Sequence, residues 1–386
     1  MADYPIEELN GKSPLQVANK PNMDYIALKG RNGTLRTIPD KMQPGSDIAN
    51  LSILGYDPLK YYTGRGPIEA ISLGIKLGKN DTAFRCNLVT LMDKRMKDYS
   101  AGHISSKEAK ELIETIDKKL GSRSIKFYNG VSYRHILLIA NKKTEKTECT
   151  PPHDITNQII DPYLPRGQGS EILLELIRKS QEILENHPIN IKRIQVKKTP
   201  ANSIWPWGQG KKPILQSFQE KFGVKGAIIS AVDLIKGIGK LIGLKIIQVP
   251  GVTGYYDTNY TGKAEYALKS LENGDFIYIH IEAPDEASHA GDIENKIKAI
   301  ENIDEKVVGK ILNKISELSD DYKIAILPDH PTPIKTKTHD SDPVPIAIYT
   351  NKEEGDEISS FDEISAKQGS LGHLKGEEFM NLLIKK

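Results

Sequence analysis

Apolar and polar positions change their spacing along this chain, and each change marks an element. The last third alternates short apolar runs with amphipathic stretches, the pattern of βαβ units on a mostly parallel sheet. FIYIHI at 276–281 predicts a strand. Beyond it Ile293, Ile297, Ile300, Ile303, Val307, Ile311, Ile315 and Leu318 recur at helical spacing, predicting one long helix that leads to a second strand, IAIL at 324–327. AIIS at 227–230, KIIQV at 245–249 and PIAIY at 345–349 predict further strands, with a helix over 233–244 between the first two. This half reads as doubly wound α/β.

The middle has an α+β texture. Ser105 and Glu108 form a candidate capping box ahead of Leu112, Ile113, Ile116 and Leu120. Strand-like IKFY (125–128) and HILLIA (135–140) follow, then a loop rich in Pro and Gly over 150–169 and an amphipathic helix over 171–185. The N-terminal segment ends in helix-like GPIEAISLGIKLG (66–78) without completing a sheet. The predicted organisation is therefore a core formed by 1–79 and 206–386, with 80–205 inserted as a substrate or lid domain. No internal repeat or low-complexity tract is evident.

Composition narrows the function. A chain of 386 residues has room for such a core and insertion. Its 53 Lys+Arg against 51 Asp+Glu leave a formal net charge of +2, which argues against bulk attraction to nucleic acid. Two cysteines, Cys86 and Cys149, are too few for a disulfide framework or a cysteine zinc cluster and fit a reducing, cytoplasmic setting. The opening MADYPIEELN has no basic-then-apolar run, and no apolar stretch is long enough to span a membrane, so neither secretion nor a membrane partner is expected.

Three polar clusters lie beside predicted strands of the last third, where open α/β sheets bind ligands. Asp285 and His289 are one helical turn apart in HIEAPDEASHAGD; Asp329 and His330 are adjacent in AILPDHPTP; His339 stands among Asp340 and Asp342 in KTHDSDPVPIAIY. One such cluster alone usually caps a helix or bonds a loop. Three together point to a pair of Mn²⁺, Zn²⁺ or Co²⁺ ions. In MQPGSDIANLSILGYDP, Ser46 follows Gly45 at the head of an apolar helix-like run. It is either an N-cap or a nucleophile whose hydroxyl neighbouring metals would acidify. There is no G-x-S-x-G elbow and no P-loop. GIGKLIG (237–243) does not match a dinucleotide fingerprint and reads as helix packing, while WPWGQGKKP (205–213) is a hinge, a lid wall or ordinary buried tryptophan.

The stretches GSDIANLSILGYDP, YYTGRGPIEA, DYSAGHIS, VPGVTGYYDTNYTGKAEYAL and APDEASHAGD, with the PDH…THDSDPVP pair, resemble cofactor-independent phosphoglycerate mutases of the shorter, archaeal-type branch, over nearly the whole chain. The resemblance implies an alkaline-phosphatase-like, doubly wound, mostly parallel sheet core with an inserted α+β lid. It implies isomerisation of 3-phosphoglycerate to 2-phosphoglycerate through a phosphoserine at Ser46, with two divalent metals (Mn²⁺, or Mg²⁺, Co²⁺ or Zn²⁺) and no 2,3-bisphosphoglycerate. Carried over by motif, Asp285, His289 and His339 would hold one metal and Asp329, His330 and Ser46 the other. His103, Arg65, Arg134 and Lys263 would contact the anionic substrate. Family members begin with an apolar strand ending in a G-D-G-M type turn whose Asp ligates the second metal. This sequence starts at the Met of that turn, so that strand and Asp are expected to be absent, with Asp3 the nearest carboxylate but downstream of the family position. A homoserine kinase-like phosphotransferase and a catalytically silent metal-binding scaffold are the alternatives.

Overall fold

A computed structural model describes residues 1–141 and 143–384. The chain forms two compact units, Met1–Tyr62 with Leu215–Lys386, and Thr63–Ile214.

The first unit is mixed α/β. Strands β1 (Arg31–Arg36), β10 (Lys323–Ile326), β11 (Val344–Thr350) and β12 (Gly372–Lys375) form one sheet in the order β10-β11-β1-β12. β7 (Gly226–Ile229), β8 (Lys245–Ile246) and β9 (Phe276–Ile279) form another in the order β8-β7-β9. β7 pairs parallel with both neighbours, and β1 pairs parallel with β12, but β11 runs antiparallel to both β1 and β10. The expectation of one mostly parallel sheet is corrected accordingly. β1 and β12 carry almost no apolar pattern: RNGTLR is buried by its neighbours rather than by its composition. At Gly33 a Cβ would lie 2.6 Å from the carbonyl of Gly372, so this close strand contact requires glycine.

Two predicted elements change shape. KIIQV shortens to Lys245–Ile246. The long helix breaks into Ile293–Ile303, a π-helical segment Asp304–Gly309 and Lys310–Ile315. The π segment turns Asp304 onto the start of the helix Pro21–Lys29, which has no side-chain cap of its own. The Asp304 carboxylate takes the N–H groups of Asn22 (3.3 Å) and Met23 (2.7 Å). Met23, Ile26, Ile300, Ile303 and Phe361 pack in the core around this junction. GIGKLIG is helix packing: the helix Asp233–Leu241 lies so close to β7 that a Cβ on Gly239 would meet Ile228 Cγ2 at 2.7 Å.

The second unit is built on an antiparallel sheet. β2 (Thr82–Met92), β3 (Arg95–Asp98), β4 (Ile125–Val131) and β5 (Arg134–Ile139) run in the order β3-β2-β5-β4, with β6 (Ser203–Gly210) also against β2. Helices Ser106–Leu120 and Ser170–Glu185 bury Leu112, Ile116, Leu173 and Ile177 on Phe84, Cys86, Leu88 and Leu137. Ala70, from the helix Arg65–Ser72, packs with Ala83, Ile136 and Leu138 in a separate cluster. That helix and the rest of β6 therefore fall in the second unit, which places 63–79 and 206–214 there rather than with the core. Ser105 caps its helix by accepting from Glu108 N (3.3 Å), but the Glu108 carboxylate takes the Ser105 hydroxyl and Arg193 instead of closing a capping box. Trp205 and Trp207 are buried strand residues, their indoles donating to Thr150 O and Asn87 Oδ1. Both cysteines are free thiols.

Candidate active site

The first unit gathers the three Asp/His clusters. Asp285 and His289 share one face of the helix Ala283–Ala290, with Oδ2 and Nε2 3.1 Å apart. His339, from the loop before β11, brings its Nε2 to 3.1 Å from His289 Nε2 and 3.6 Å from Asp285 Oδ2. The donor atoms of these three residues all lie within 4.8 Å of one another. Nitrogens bound tetrahedrally to one ion about 2.1 Å away would sit about 3.4 Å apart, so the spacing fits a cation. The His289 Nδ1 lies 2.9 Å from the Lys337 carbonyl; donating its hydrogen there leaves Nε2 turned to the shared point.

Ser46 heads the helix Ser46–Ile53 behind the extended N-cap Gly45, so its hydroxyl is not used as a cap. Its Oγ lies 3.0 Å from His330 Nε2. Asp329, beside His330 after β10, has Oδ2 3.5 Å from that same nitrogen and 3.7 Å from His280 Nε2. Asn50, one helical turn beyond Ser46, donates to Asp329 Oδ2 (3.0 Å) and to the Ser46 carbonyl (2.8 Å), and accepts from the Tyr278 hydroxyl (2.6 Å). Sequence reasoning missed Asn50, Tyr278 and His280. His280 at least carried a signal, a lone imidazole interrupting the apolar run FIYIHI.

Burial opposes ionisation of both carboxylates, yet the imidazoles outweigh it. His289 and His339 hold Asp285 well below the ordinary carboxylate range, and His330 and His280 do the same for Asp329. The Asp285 bond in turn lifts His289 to about 9. Burial raises Glu282, near His280, to about 7. This concentration of carboxylate and imidazole suits divalent cations.

Lys263 is fully buried, and its ammonium donates to the His280 carbonyl at 2.8 Å, so it supports the site from behind. Burial lowers it to about 8 against the pull of Glu282. Asp3 is committed elsewhere, its Oδ2 taking Lys296 Nζ (2.7 Å) and Ile334 N (3.1 Å).

Arg65, Arg134 and His103 lie in the second unit. Arg65 pairs with Glu69 (3.1 Å), Arg134 stands over the Tyr133 ring (5.6 Å), and exposed His103 meets the edge of that ring (6.1 Å). The sequence reading missed Arg85, a charge interrupting the apolar strand TAFRCNLVTLM. It is buried over Trp207 (4.5 Å) with its Nε 3.1 Å from Glu69, an ion pair rather than an aligned hydrogen bond. Burial lowers it to about 10 against Glu69, with Arg65 and Arg134 adding to the fall. Arg65 and Arg134 thus set two further positive charges near the Arg85–Glu69 pair.

Residues 27–190 match the family described as 2,3-bisphosphoglycerate-independent phosphoglycerate mutase. The chain is 53% identical over 386 residues to a protein of that name from Methanosarcina mazei, covering 100% of this chain and 97% of the relative. It is 49% identical over 389 residues to a protein from Geobacter sulfurreducens named as a probable one, again covering 100% and 97%. Among solved structures, a Pyrococcus horikoshii protein aligns with a TM-score of 0.83 at 33% identity, covering 99% of this chain and 93% of the other. A cofactor-independent phosphoglycerate mutase from Thermoplasma acidophilum aligns with a TM-score of 0.68 at 30% identity, covering 100% and 96%.

Proposed function

This chain belongs to the 2,3-bisphosphoglycerate-independent phosphoglycerate mutase family, and from that premise we propose that it is an isomerase interconverting 3-phosphoglycerate and 2-phosphoglycerate through a phosphoserine at Ser46. The observation that carries the reading is the Ser46 hydroxyl 3.0 Å from His330 Nε2, at a helix start beside Asp329 and the Asp285, His289, His339 group. Asp285, His289 and His339 fit one divalent cation, and Asp329, His330 and Ser46 a second, with Mn²⁺ suited to the mixed oxygen and nitrogen donors. Such ions would neutralise phosphoryl oxygens and make the Ser46 hydroxyl more acidic.

In the forward half, Ser46 Oγ bonds to phosphorus as the bond from phosphorus to the C3 oxygen of glycerate breaks, and the serine proton ends on that oxygen. In the return half, the C2 hydroxyl of glycerate attacks the phosphoserine, and its proton goes back to Ser46. Water must be kept out, because hydrolysis of the phosphoserine would turn the enzyme into a phosphatase. The first unit is read as the alkaline-phosphatase-like core and the second as the inserted substrate-binding lid. His103, Arg65, Arg134 and Arg85 are its candidate contacts for the carboxylate and phosphate charge. Lys263 acts through His280 rather than on substrate. The two free thiols suit the proposed cytoplasmic setting.

Phosphorus NMR of the protein with Mn²⁺ and 3-phosphoglycerate tests the reading. A 2-phosphoglycerate signal with little free phosphate is expected, and Ser46→Ala should abolish it. Persistence of isomerisation in that variant would sink the assignment of Ser46. An unchanged wild-type spectrum would sink the mutase reading itself.

A further inference from the structure

We propose that Thr332 is a positioning residue that ties the two halves of the metal-binding site together and fixes the tautomer in which His330 meets Ser46. The proposal rests on the reading that Asp285 serves one cation and His330 the other. The Thr332 hydroxyl lies between them, 2.5 Å from Asp285 Oδ1 and 3.1 Å from His330 Nδ1.

A threonine hydroxyl has one hydrogen to give. The Asp285 carboxylate can only accept, so that hydrogen points to Asp285. The remaining lone pair of Thr332 Oγ1 faces His330 Nδ1, which must then carry a hydrogen. A neutral imidazole, the form a cation ligand takes, has one N–H, so His330 Nε2 is bare and aimed at Ser46 Oγ 3.0 Å away. The result is a directed chain, Ser46 to His330 to Thr332 to Asp285.

The surroundings leave this hydroxyl little freedom. Thr332 is 2% exposed and His330 1%, so water does not compete for either. Pro331 and Pro333, both buried, flank the threonine and fix their own φ angles. The Thr332 carbonyl accepts from the buried Lys296 ammonium at 3.0 Å, and its N–H donates to the Ala2 carbonyl at 3.3 Å. Backbone and side chain are thus held from both sides, and a shift at Asp285 is passed to His330 through one oxygen.

The test compares the full-length wild type with Thr332→Val, which keeps the shape but removes the hydroxyl, and Thr332→Ser, which restores it. Imidazole ¹⁵N NMR, with His330 assigned by loss of its signal in His330→Gln and spectra recorded with and without Mg²⁺, reads the tautomer. Mn²⁺ titration followed by electron paramagnetic resonance reads the two affinities. The expected result is Nδ1–H in wild type and Thr332→Ser, loss of that preference in Thr332→Val, and one of the two Mn²⁺ affinities lowered about 10- to 100-fold in the Val variant only. Hydrogen on Nε2 in the wild type would overturn the proposal, as would a Val variant with unchanged tautomer or unchanged Mn²⁺ affinity. If the wild type binds no Mn²⁺ the two-cation reading falls by itself, and the tautomer spectra still decide the orientation of the chain.

Discussion

Asn50 spends one amide group on two functional residues, its Nδ2 lying 3.0 Å from Asp329 Oδ2 and 2.8 Å from the Ser46 carbonyl. The helix that presents the candidate nucleophile is thereby fastened to a carboxylate at the end of another strand. Replacing Asn50 by Leu should leave Asp329 Oδ2 and the Tyr278 hydroxyl without this partner. A fall in kcat of about 10- to 100-fold is expected, with a loss of about 1–3 kcal/mol in stability. Asn50→Asp should be worse, because it sets a second carboxylate against Asp329. Steady-state kinetics and denaturant melts check both.

Lys296 and Asp3 form an ion pair whose side chains are 0% and 1% exposed. Lys296→Met alone should cost about 3–5 kcal/mol, since Asp3 would be left as an uncompensated buried charge. Adding Asp3→Asn should recover much of that loss, and a double-mutant cycle measured by urea unfolding reads the difference. Equal stability of the single and double variants would show that the pair contributes only packing.

In the second unit, burial holds His135 neutral in the fold, down to about 3 against an ordinary 6.5, with its Nδ1 accepting from Gly130 N. As pH falls below 6.5 the unfolded chain takes up a proton that the folded chain refuses. Stability therefore drops with pH until the folded value is reached. His135→Phe should reduce the slope of unfolding free energy between about pH 6 and 4 by about 1.4 kcal/mol per pH unit, apart from a constant offset for the lost hydrogen bond.

Mn²⁺ at about 100 times its dissociation constant should stabilise the protein by about 2.7 kcal/mol per site, and chelation should reverse the gain. His289→Ala should lose the part due to the Asp285, His289, His339 group while keeping the rest. Calorimetric melts with and without chelator measure this, and an identical Mn²⁺ response in that variant would remove His289 from the ligand set.

How legible each part was depends on whether its cause is local. Asp285 and His289 could be placed on one helical face because four residues span about one turn. The strands AIIS, IAIL and PIAIY stood out because burial makes them apolar, and β11 is buried over nearly its whole length. β1 and β12 did not stand out: RNGTLR owes Gly33 to close approach by Gly372, distant in sequence, and GHLK is largely exposed, so burial selects no apolar pattern there. The π segment at Asp304 was hidden for a similar reason, since it answers a helix start some 280 residues away. Arg85 and the helix Arg65–Ser72 show the same limit at the domain boundary, where sheet packing overrode the change in texture.

By itself the sequence determined the kinds of chemistry available: the Asp/His clusters beside predicted strands, Ser46 after a glycine, and a near-neutral charge. Those follow from residue type and short-range spacing, which act within a turn or a strand. Only the tertiary structure decided that His289 and His339 meet at 3.1 Å, that Lys263 is turned inward to His280, and that Thr332 stands between Asp285 and His330. The physical reason is that hydrogen-bond direction and burial depend on which strand ends are brought together, and that depends on packing across the whole unit.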